Sequence, residues 1–272
     1  MLSSPSDVGS VPPGAAGLPP ATLADIMTSP VTTVPADYPV HWALTVMRGQ
    51  RISALVVTEA ERPVGIFTER DAVRFAAQHR DAEAIPVSEA MRTPPLTAPA
   101  DTGVRDAYGL LAERRVRHLI VTDQDGRVAG IISEADLIDR LTTKDLLADT
   151  DVNAIMTGGV VTLPEDALVR EAVRIMASRH LGCVVVERHG RPVGIVTERD
   201  LVRLGDEGVD LVATHMSGIM SHPVQTVTGA TPLTEAITRM EQARTRRLVV
   251  VDESGNTVGI VTRHDMFKVV HD

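Results

Sequence analysis

The sequence has few of the residues that characterise several large classes of protein. Its 272 residues include one cysteine, Cys183, and aromatic residues make up only 2 % of the chain. A lone cysteine cannot form an intramolecular disulfide, which is typical of a reducing compartment, so we expect a cytoplasmic protein. The formal net charge is −9. Nucleic-acid binders usually carry a basic stripe or stacking aromatic residues, and neither is evident from the composition.

Long apolar runs and familiar catalytic motifs are also missing. No apolar run is long enough to cross a bilayer, so we expect no membrane span. The sequence contains no G-x-x-x-x-G-K-[ST] phosphate loop, no H-E-x-x-H motif and no C-x-x-C pair. His215 and His222 lie on either side of Met220 without a thiol or carboxylate at ligand spacing, which indicates surface residues. We therefore expect no enzyme, no metal site and no cofactor.

Four similar heptads recur along the chain at nearly equal intervals. They read "GIFTERD" at 65–71, "GIISEAD" at 130–136, "GIVTERD" at 194–200 and "GIVTRHD" at 259–265. A methionine lies upstream of each heptad at a nearly constant distance, in "DIMTSP", "EAMRTP", "AIMTGG" and "GIMSHP". One and the same shift in numbering relates copy 1 to copy 3 (27 to 156, 65 to 194) and copy 2 to copy 4 (91 to 220, 130 to 259). The chain is a duplicated pair of repeats.

Each copy predicts the same order of elements, β-α-β-β-α. In copy 1 the extended "VTTV" precedes a helix in which Val40, Ala43, Leu44 and Met47 share one face. The β-branched "SALVVT" predicts the second strand, and "PVGIFT" predicts a third strand that runs into the heptad. One copy cannot cover both faces of a three-stranded sheet, so we expect the copies to pair.

The turns between the second and third strands are predicted to differ among the copies. Three copies carry glycine in pairs that favour a tight hairpin. Copy 1 has Glu61-Arg62 at this point, which predicts a different turn. The glycine-containing pairs are Asp125-Gly126, His189-Gly190 and Ser254-Gly255.

Four copies of the methionine anchor, the β-α-β-β-α order and the G-h-h-[ST]-x-x-D heptad resemble four cystathionine-β-synthase (CBS) domains. The resemblance covers about residues 23–271. It implies an α/β (α+β) fold with two tandem modules in a disk-like assembly, either a monomeric disk or a homodimer. The implied divisions are a disordered Pro/Gly/Ser/Ala-rich leader at 1–21, module 1 at 22–141 (repeats about 23–78 and 87–141), a linker at 142–152, and module 2 at 153–272 (repeats about 153–206 and 216–271).

The heptad carboxylate has two possible roles, which are compatible with each other. A hydroxyl residue followed three positions later by an acid at a helix start is close to a capping box, and a cap is typically worth about 1 kcal/mol. The CBS resemblance implies instead that the aspartate binds the ribose hydroxyls of a nucleotide at the anion-friendly helix N-terminus. The pairs concerned are Thr68/Asp71, Ser133/Asp136, Thr197/Asp200 and Thr262/Asp265.

Residues at the start of the central strand alternate between the copies. Small pairs (Ser53-Ala54, Gly182-Cys183) occupy the odd copies, and cationic pairs (Arg117-His118, Arg246-Arg247) the even ones. In the CBS family one copy holds the ribose, while its partner supplies basic residues and a threonine before the first helix. Two sites are complete on that pattern, whereas those at Asp136 and Asp265 face Tyr38 or Ala167 and are expected to be weaker. The complete sites are Thr68, Arg70, Asp71, Thr102, Arg117 and His118, and Thr197, Arg199, Asp200, Thr231, Arg246 and Arg247.

The resemblance implies a non-catalytic regulator. Its ligand would be an adenine nucleotide (AMP, ADP or ATP), because paired cations suit phosphate, and it would signal occupancy to an unknown effector protein in trans. S-adenosylmethionine is a cation and fits poorly beside Arg117 and Arg246. Two alternatives stay open. One is a structural or interaction module with empty sites, and the other is weak nucleic-acid binding through Arg114, Arg115, Arg117, Arg246 and Arg247.

Overall fold

The computed structural model describes residues 21–141 and 150–269. The predicted leader at 1–21 and the predicted linker at 142–152 therefore lie mostly outside the described residues. Within the described ranges, no helix is long and apolar enough to cross a membrane.

Repeats 1, 2 and 3 contain the predicted elements in the predicted order. The fourth repeat ends differently, because its last described segment, Arg263–Val269, is a 3₁₀ helix. Module 1 contains β1 (Thr33–Pro35), α1 (Val40–Gln50), β2 (Ala54–Glu59), β3 (Arg62–Thr68), α2 (Glu69–Ala76), β4 (Thr97–Pro99), α3 (Val104–Arg114), β5 (His118–Thr122), β6 (Val128–Ser133) and α4 (Glu134–Leu141). Module 2 contains α5 (Val152–Ile155), β7 (Thr157–Gly158), β8 (Thr162–Pro164), α6 (Val169–Arg179), β9 (Cys183–Arg188), β10 (Arg191–Thr197), α7 (Glu198–Asp206), β11 (Thr226–Thr228), α8 (Leu233–Gln242), β12 (Arg247–Val251) and β13 (Thr257–Thr262).

Each repeat forms its own small mixed sheet. The first strand runs parallel to the second, and the second runs antiparallel to the third, in the orders β1-β2-β3, β4-β5-β6, β8-β9-β10 and β11-β12-β13. The short strand β7 pairs with β13 and adds a fourth strand to the last sheet. Since β7 enters repeat 3 but pairs with repeat 4, the segment before each repeat crosses to its partner.

The methionine anchors hold the partner repeats together. The residue after Met91 bridges to Ile66 of repeat 1, and the residue after Met27 bridges to Ile131 of repeat 2. Each methionine side chain lies against the heptad glycine of the partner repeat. A Cβ atom on Gly65 would lie 2.1 Å from Met91 Sδ. The heptad glycine is therefore required by the close approach of the partner's methionine.

The prediction of a different turn in repeat 1 is wrong for the comparison with repeat 3. Repeats 2 and 4 make a longer turn, closed by hydrogen bonds from Asp123 N–H to the Arg127 carbonyl and from Asp252 N–H to the Asn256 carbonyl. Glu59 pairs with Arg62 across a two-residue turn in which Ala60 (φ 48°) and Glu61 (φ 65°) are both left-handed. Repeat 3 makes the same turn with His189 and Gly190, at φ 53° and 78°. The twist of a two-residue hairpin calls for positive φ at both positions. The exposed repeat 1 turn adopts this geometry without glycine.

The two modules pack against each other through helices. The predicted apolar face of α1 is buried, with Val40, Ala43, Leu44 and Met47 at most 4 % exposed. Helices α1 and α2 of repeat 1 contact α7 of repeat 3, and α2 also contacts α6. Val202 of α7 joins the core of repeat 1, and its counterpart Val73 of α2 joins the core of repeat 3. The duplicated repeats thus complete each other's cores.

Candidate functional site

Every heptad aspartate caps its own helix. Asp71 Oδ2 accepts hydrogen bonds from the Thr68 backbone N–H at 3.0 Å and from its hydroxyl at 2.6 Å. Asp200 Oδ2 accepts the same pair from Thr197, at 2.8 and 2.7 Å. Ser133 and Asp136 repeat the arrangement, as do Thr262 and Asp265. The capping interpretation is confirmed in all four repeats, and it occupies one oxygen of each carboxylate.

The second carboxylate oxygen faces the residue that follows the partner's methionine. Asp71 Oδ1 lies 3.2 Å from Arg92 Nε and 3.1 Å from Arg74 Nη1, and Asp71 is fully buried. Asp200 Oδ1 lies 3.4 Å from the hydroxyl of Ser221. Asp200 is partly exposed. Two guanidinium groups therefore cover Asp71, whereas a hydroxyl at long range is the contact that the described residues offer to Oδ1 of Asp200.

The weaker sites also differ from each other. Asp136 is partly exposed and lines an open groove of about 480 Å³ with Asp25, Ile26 and Arg140. Asp265 is buried, and its Oδ1 lies 3.5 Å from the hydroxyl of Thr157. Each module thus has one partly exposed heptad aspartate and one buried one.

The two predicted threonines lie before the first helix of their repeats. The Thr231 hydroxyl accepts from the Thr228 backbone N–H at 3.2 Å and so closes the turn before α8. The backbone carbonyl of Thr102 accepts from the N–H of Leu23 at 2.9 Å. Among the described residues, neither hydroxyl forms a hydrogen bond with a heptad aspartate.

The small and cationic strand starts face each other within each module. Ser53 Oγ lies 3.1 Å from His118 Nε2. Arg247 Nη1 donates to the carbonyl of Gly182 at 2.8 Å, and a Cβ on Gly182 would lie 3.4 Å from the same nitrogen. The alternation seen in the sequence therefore has a steric cause: the small residues of one repeat leave room for the larger side chains of its partner.

His118 does not supply a positive charge at neutral pH. Burial lowers the pKa of His118 to about 3, and the nearby guanidinium groups of Arg117, Arg246 and Arg70 contribute to that lowering. The prediction that Arg117-His118 forms a cationic pair is therefore wrong for His118. Its imidazole contributes hydrogen bonding, and Arg117 carries the charge of the pair.

The two "TERD" heptads contact each other across the module interface. Arg70 Nε of repeat 1 lies 3.3 Å from Glu198 Oε1 of repeat 3, and Arg199 Nε of repeat 3 lies 3.0 Å from Glu69 Oε1 of repeat 1. Such reciprocity is expected where two copies of one surface meet. Repeats 2 and 4 keep one of the two contacts: His264 Nδ1 of repeat 4 lies 2.9 Å from Glu134 Oε1 of repeat 2. This hydrogen bond raises the pKa of His264.

The cations assigned to two separate sites converge at this interface. Arg117 Nη2 of repeat 2 lies 2.8 Å from Glu198 Oε2. Arg246 of repeat 4 is near enough to affect His118, and Arg247 is near enough to interact with Glu198. We call this set the central cluster: Arg70, Arg117, Arg199, Arg246, Arg247, Glu69 and Glu198. Five arginines against two glutamates leave it a net charge of +3.

Three residues of this region were missed by the sequence reasoning: Glu69, Glu198 and Arg92. The two glutamates stand beside the predicted arginines in both "TERD" heptads, so their identical placement was the available signal. Arg92 replaces the hydroxyl residue that follows the methionine in the other three anchors. No group of three or more potential metal-ligating side chains occurs in the part of the chain that the structure describes.

The fold and site define a class of protein with four α/β repeats. Methionine anchors exchanged between partner repeats hold each pair together, and the helix-capping aspartates lie beside a shared cationic interface. The CBS domain profile matches residues 23–78, 87–143, 152–207 and 216–272. The chain belongs to the CBS domain family, which confirms the resemblance seen in the sequence.

Relatives and solved structures match nearly the whole chain. An uncharacterised protein of Methanocaldococcus jannaschii, MJ1404, is 26 % identical over 92 % of this chain, and the Arabidopsis thaliana CBS domain-containing protein CBSCBSPB1 is 25 % identical over 92 %. The matches span 62 % and 53 % of those relatives, so the chain covers less than two thirds of either. The structure of M. jannaschii MJ1225, proposed as an archaeal homologue of γ-AMPK, has a TM-score of 0.80 at 22 % identity, covering 91 % of this chain and 99 % of that one. These matches confirm the four-repeat α/β fold.

Proposed function

We propose that this chain is a non-catalytic sensor that binds an adenine nucleotide between its paired repeats. The ribose would bind Asp200 and the phosphates would bind the central cluster. The observation that carries the proposal is the convergence of five arginines on two glutamates beside the heptad helices. A net charge of +3 matches a phosphate chain, and guanidinium groups bind phosphate through paired hydrogen bonds.

The likeness to MJ1225 is compatible with this proposal, but at 22 % identity it supports the fold alone. The nucleotide assignment therefore rests on the residues of this chain. Cationic ligands such as S-adenosylmethionine are disfavoured, because they would lie beside an excess of arginine.

We assign unequal affinities to the two complete sites. Asp200 is partly exposed, and within the described part of the chain its second oxygen has only the Ser221 hydroxyl nearby. Asp71 is buried under Arg92 and Arg74, so a ribose can reach it only if Arg92 moves away. The Asp200 site would therefore fill first and the Asp71 site second. The sites at Asp136 and Asp265 stay the weaker pair.

A ligand on the central cluster would contact both modules. It would favour the module arrangement to which it binds better, by no more than its differential affinity for the alternatives. This offers a physical route from nucleotide occupancy to an effector protein in trans. The partner would read the relative orientation of the two modules.

The proposal is tested by calorimetric titration of AMP, ADP and ATP into the wild type and three variants. Asp200→Asn should abolish the tighter binding event, because an amide cannot accept hydrogen bonds from both ribose hydroxyls while capping its helix. Asp265→Asn is the matched control and should leave that event in place. Arg92→Ser copies Ser221 at the equivalent position and should strengthen the weaker event. Unchanged stoichiometry and affinity in Asp200→Asn would refute the assignment.

The hydrogen bonds within the heptads favour a second candidate, an interaction module whose sites stay empty. In that case the four aspartates would serve to cap helices through Oδ2 and would bind no ribose; the Oδ2 contacts support this candidate. Thermal unfolding separates the two candidates, because a ligand that binds the folded state raises the melting temperature with its concentration. A melting temperature that no adenine nucleotide changes, up to millimolar concentration, would favour the interaction module.

A further inference from the structure

Glu198 is a buried carboxylate inside the central cluster. Its side chain is 2 % exposed. Oε1 lies 3.3 Å from Arg70 Nε and Oε2 lies 2.8 Å from Arg117 Nη2. Arg247 Nη1 and Glu198 Oε2 both lie within 4 Å of the position of a Cβ atom on Gly182, and Arg247 is near enough to Glu198 to interact with it electrostatically. One anion of repeat 3 thus lies among cations of repeats 1, 2 and 4.

The duplicated counterpart of Glu198 is placed differently. Glu69 lies 3.0 Å from Arg199, whose side chain is 57 % exposed, and this is the one ion pair of Glu69 within the described residues. Both glutamates dock the modules through the reciprocal "TERD" contact. Of the two, Glu198 alone also contacts the strand-start arginine of an even repeat, Arg117. Its second oxygen therefore occupies an arginine that the sequence assigns to the phosphates of a ligand, in addition to docking the modules.

We propose that Glu198 acts as an internal substitute for a ligand phosphate and thereby sets how many phosphates the bound nucleotide carries. This inference rests on the proposed function. Carboxylate and phosphate oxygens bind guanidinium groups in the same way. A phosphate chain that extends to Arg70 and Arg117 must displace Glu198 from them. A monophosphate that ends short of those two arginines leaves the carboxylate in place.

Displacement of Glu198 has an energetic and a structural consequence. A buried carboxylate that loses its cationic partners is strongly unfavourable, so ligands with longer phosphate chains bind with a penalty. The displaced pair, Arg70 and Glu198, is also one of the contacts between the modules. The number of phosphates on the ligand is thereby coupled to how the modules dock.

The test is calorimetric titration of AMP, ADP and ATP into the wild type, Glu198→Gln and the control Glu69→Gln. Removing the Glu198 charge frees two arginines, so Glu198→Gln should raise the ATP-to-AMP affinity ratio about tenfold, the equivalent of one charge-assisted hydrogen bond. Glu69→Gln should leave this ratio within about threefold of the wild type. A ratio in Glu198→Gln equal to that of the wild type would overturn the inference.

Two further measurements keep the inference testable on its own. Inorganic tripolyphosphate lacks the nucleoside, so tighter binding of this probe to Glu198→Gln supports the inference even where no nucleotide binds and the proposed function fails. Equal tripolyphosphate affinity in both proteins overturns the inference. If Glu198→Gln does not unfold cooperatively, Glu198→Asp keeps the charge but withdraws it from Arg70 and Arg117. If the ATP-to-AMP affinity ratio then does not rise in Glu198→Asp, the inference is overturned.

Discussion

At the residue scale, His118, which lies near the arginines of the central cluster, should make the stability of the fold depend on pH. Burial and the neighbouring arginines lower its folded-state pKa to about 3. In the unfolded chain a histidine titrates near its ordinary pKa of about 6.5. Between these two values the unfolded state binds a proton that the folded state does not bind. The free energy of unfolding should therefore decrease as the pH falls from about 7 towards 3.

We expect His118→Gln to remove this pH dependence. The glutamine amide keeps a hydrogen-bonding group for Ser53 but does not titrate. Urea unfolding at pH 7.5, 6.5, 5.5 and 5.0 should show a shallower decline for the variant than for the wild type, by up to about 1.4 kcal/mol per pH unit. The raised pKa of His264 makes the free energy of unfolding change with pH in the opposite direction. The variant and the wild type are therefore compared with each other at each pH. His222→Gln changes an exposed histidine and should follow the wild type, while parallel curves for His118→Gln would contradict the expectation.

The sequence predicted the heptad aspartates and the arginines of the central cluster, because these residues recur at a fixed register. It could not predict which atoms they contact. Capping accounts for one oxygen of Asp71, Oδ2, while Oδ1 pairs with Arg92 of the partner repeat, a contact that the spacing did not predict. Glu198 and Arg92 act through contacts with other repeats. Only the packing of the four repeats brings such residues together, so spacing along the chain could not identify them.

At the scale of the elements, the close approach of methionine to glycine explains both anchors of the repeat. We expect Gly65→Ala to destabilise the fold by about 1–3 kcal/mol, because its Cβ would overlap Met91 Sδ at 2.1 Å. Met91→Ala removes the overlapping atoms, so the double variant should lose less stability than the sum of the two single variants. Urea unfolding of all four proteins measures the coupling.

The control for this cycle is Gly109→Ala in the exposed middle of α3. A Cβ there meets nothing within 4 Å, so alanine should stabilise the helix by about 0.5–1 kcal/mol. Additive effects of Gly65→Ala and Met91→Ala would show that the methionine does not impose the glycine.

Secondary structure followed the sequence pattern closely, because apolar periodicity and β-branched runs are local signals. The prediction failed at the turn of repeat 1, where two residues other than glycine adopt positive φ. It also did not foresee β7, whose pairing with β13 joins different repeats. Both departures arise from strand pairing, which imposes a backbone geometry that the local residues do not favour on their own.

At the scale of the whole molecule, the duplication creates an interface whose two halves are no longer equivalent. On one side Arg48 of α1 contacts Asp206 of α7 and the adjacent Glu207, each at 2.7 Å. The shift that relates copy 1 to copy 3 places Ala177, Ala77 and Gln78 at the equivalent positions on the other side (48 to 177, 77 to 206, 78 to 207). That side has a cleft of about 410 Å³, lined in part by Ala77 and Arg174. One half of the interface is therefore held by ion pairs, and the other half contains a cleft.

We expect Arg48→Glu to weaken the docking of the two modules, because it places a third carboxylate beside Asp206 and Glu207. Thermal unfolding should shift to lower temperature, and the transition should broaden or separate into two as the modules lose cooperativity. Arg239→Glu is a matched control, since Arg239 is similarly exposed but pairs with Glu235 inside its own helix α8. Its like-charge contact should lower the melting temperature only slightly. Equal shifts in the two variants would show that Arg48 contributes a surface ion pair and nothing to the joining of the modules.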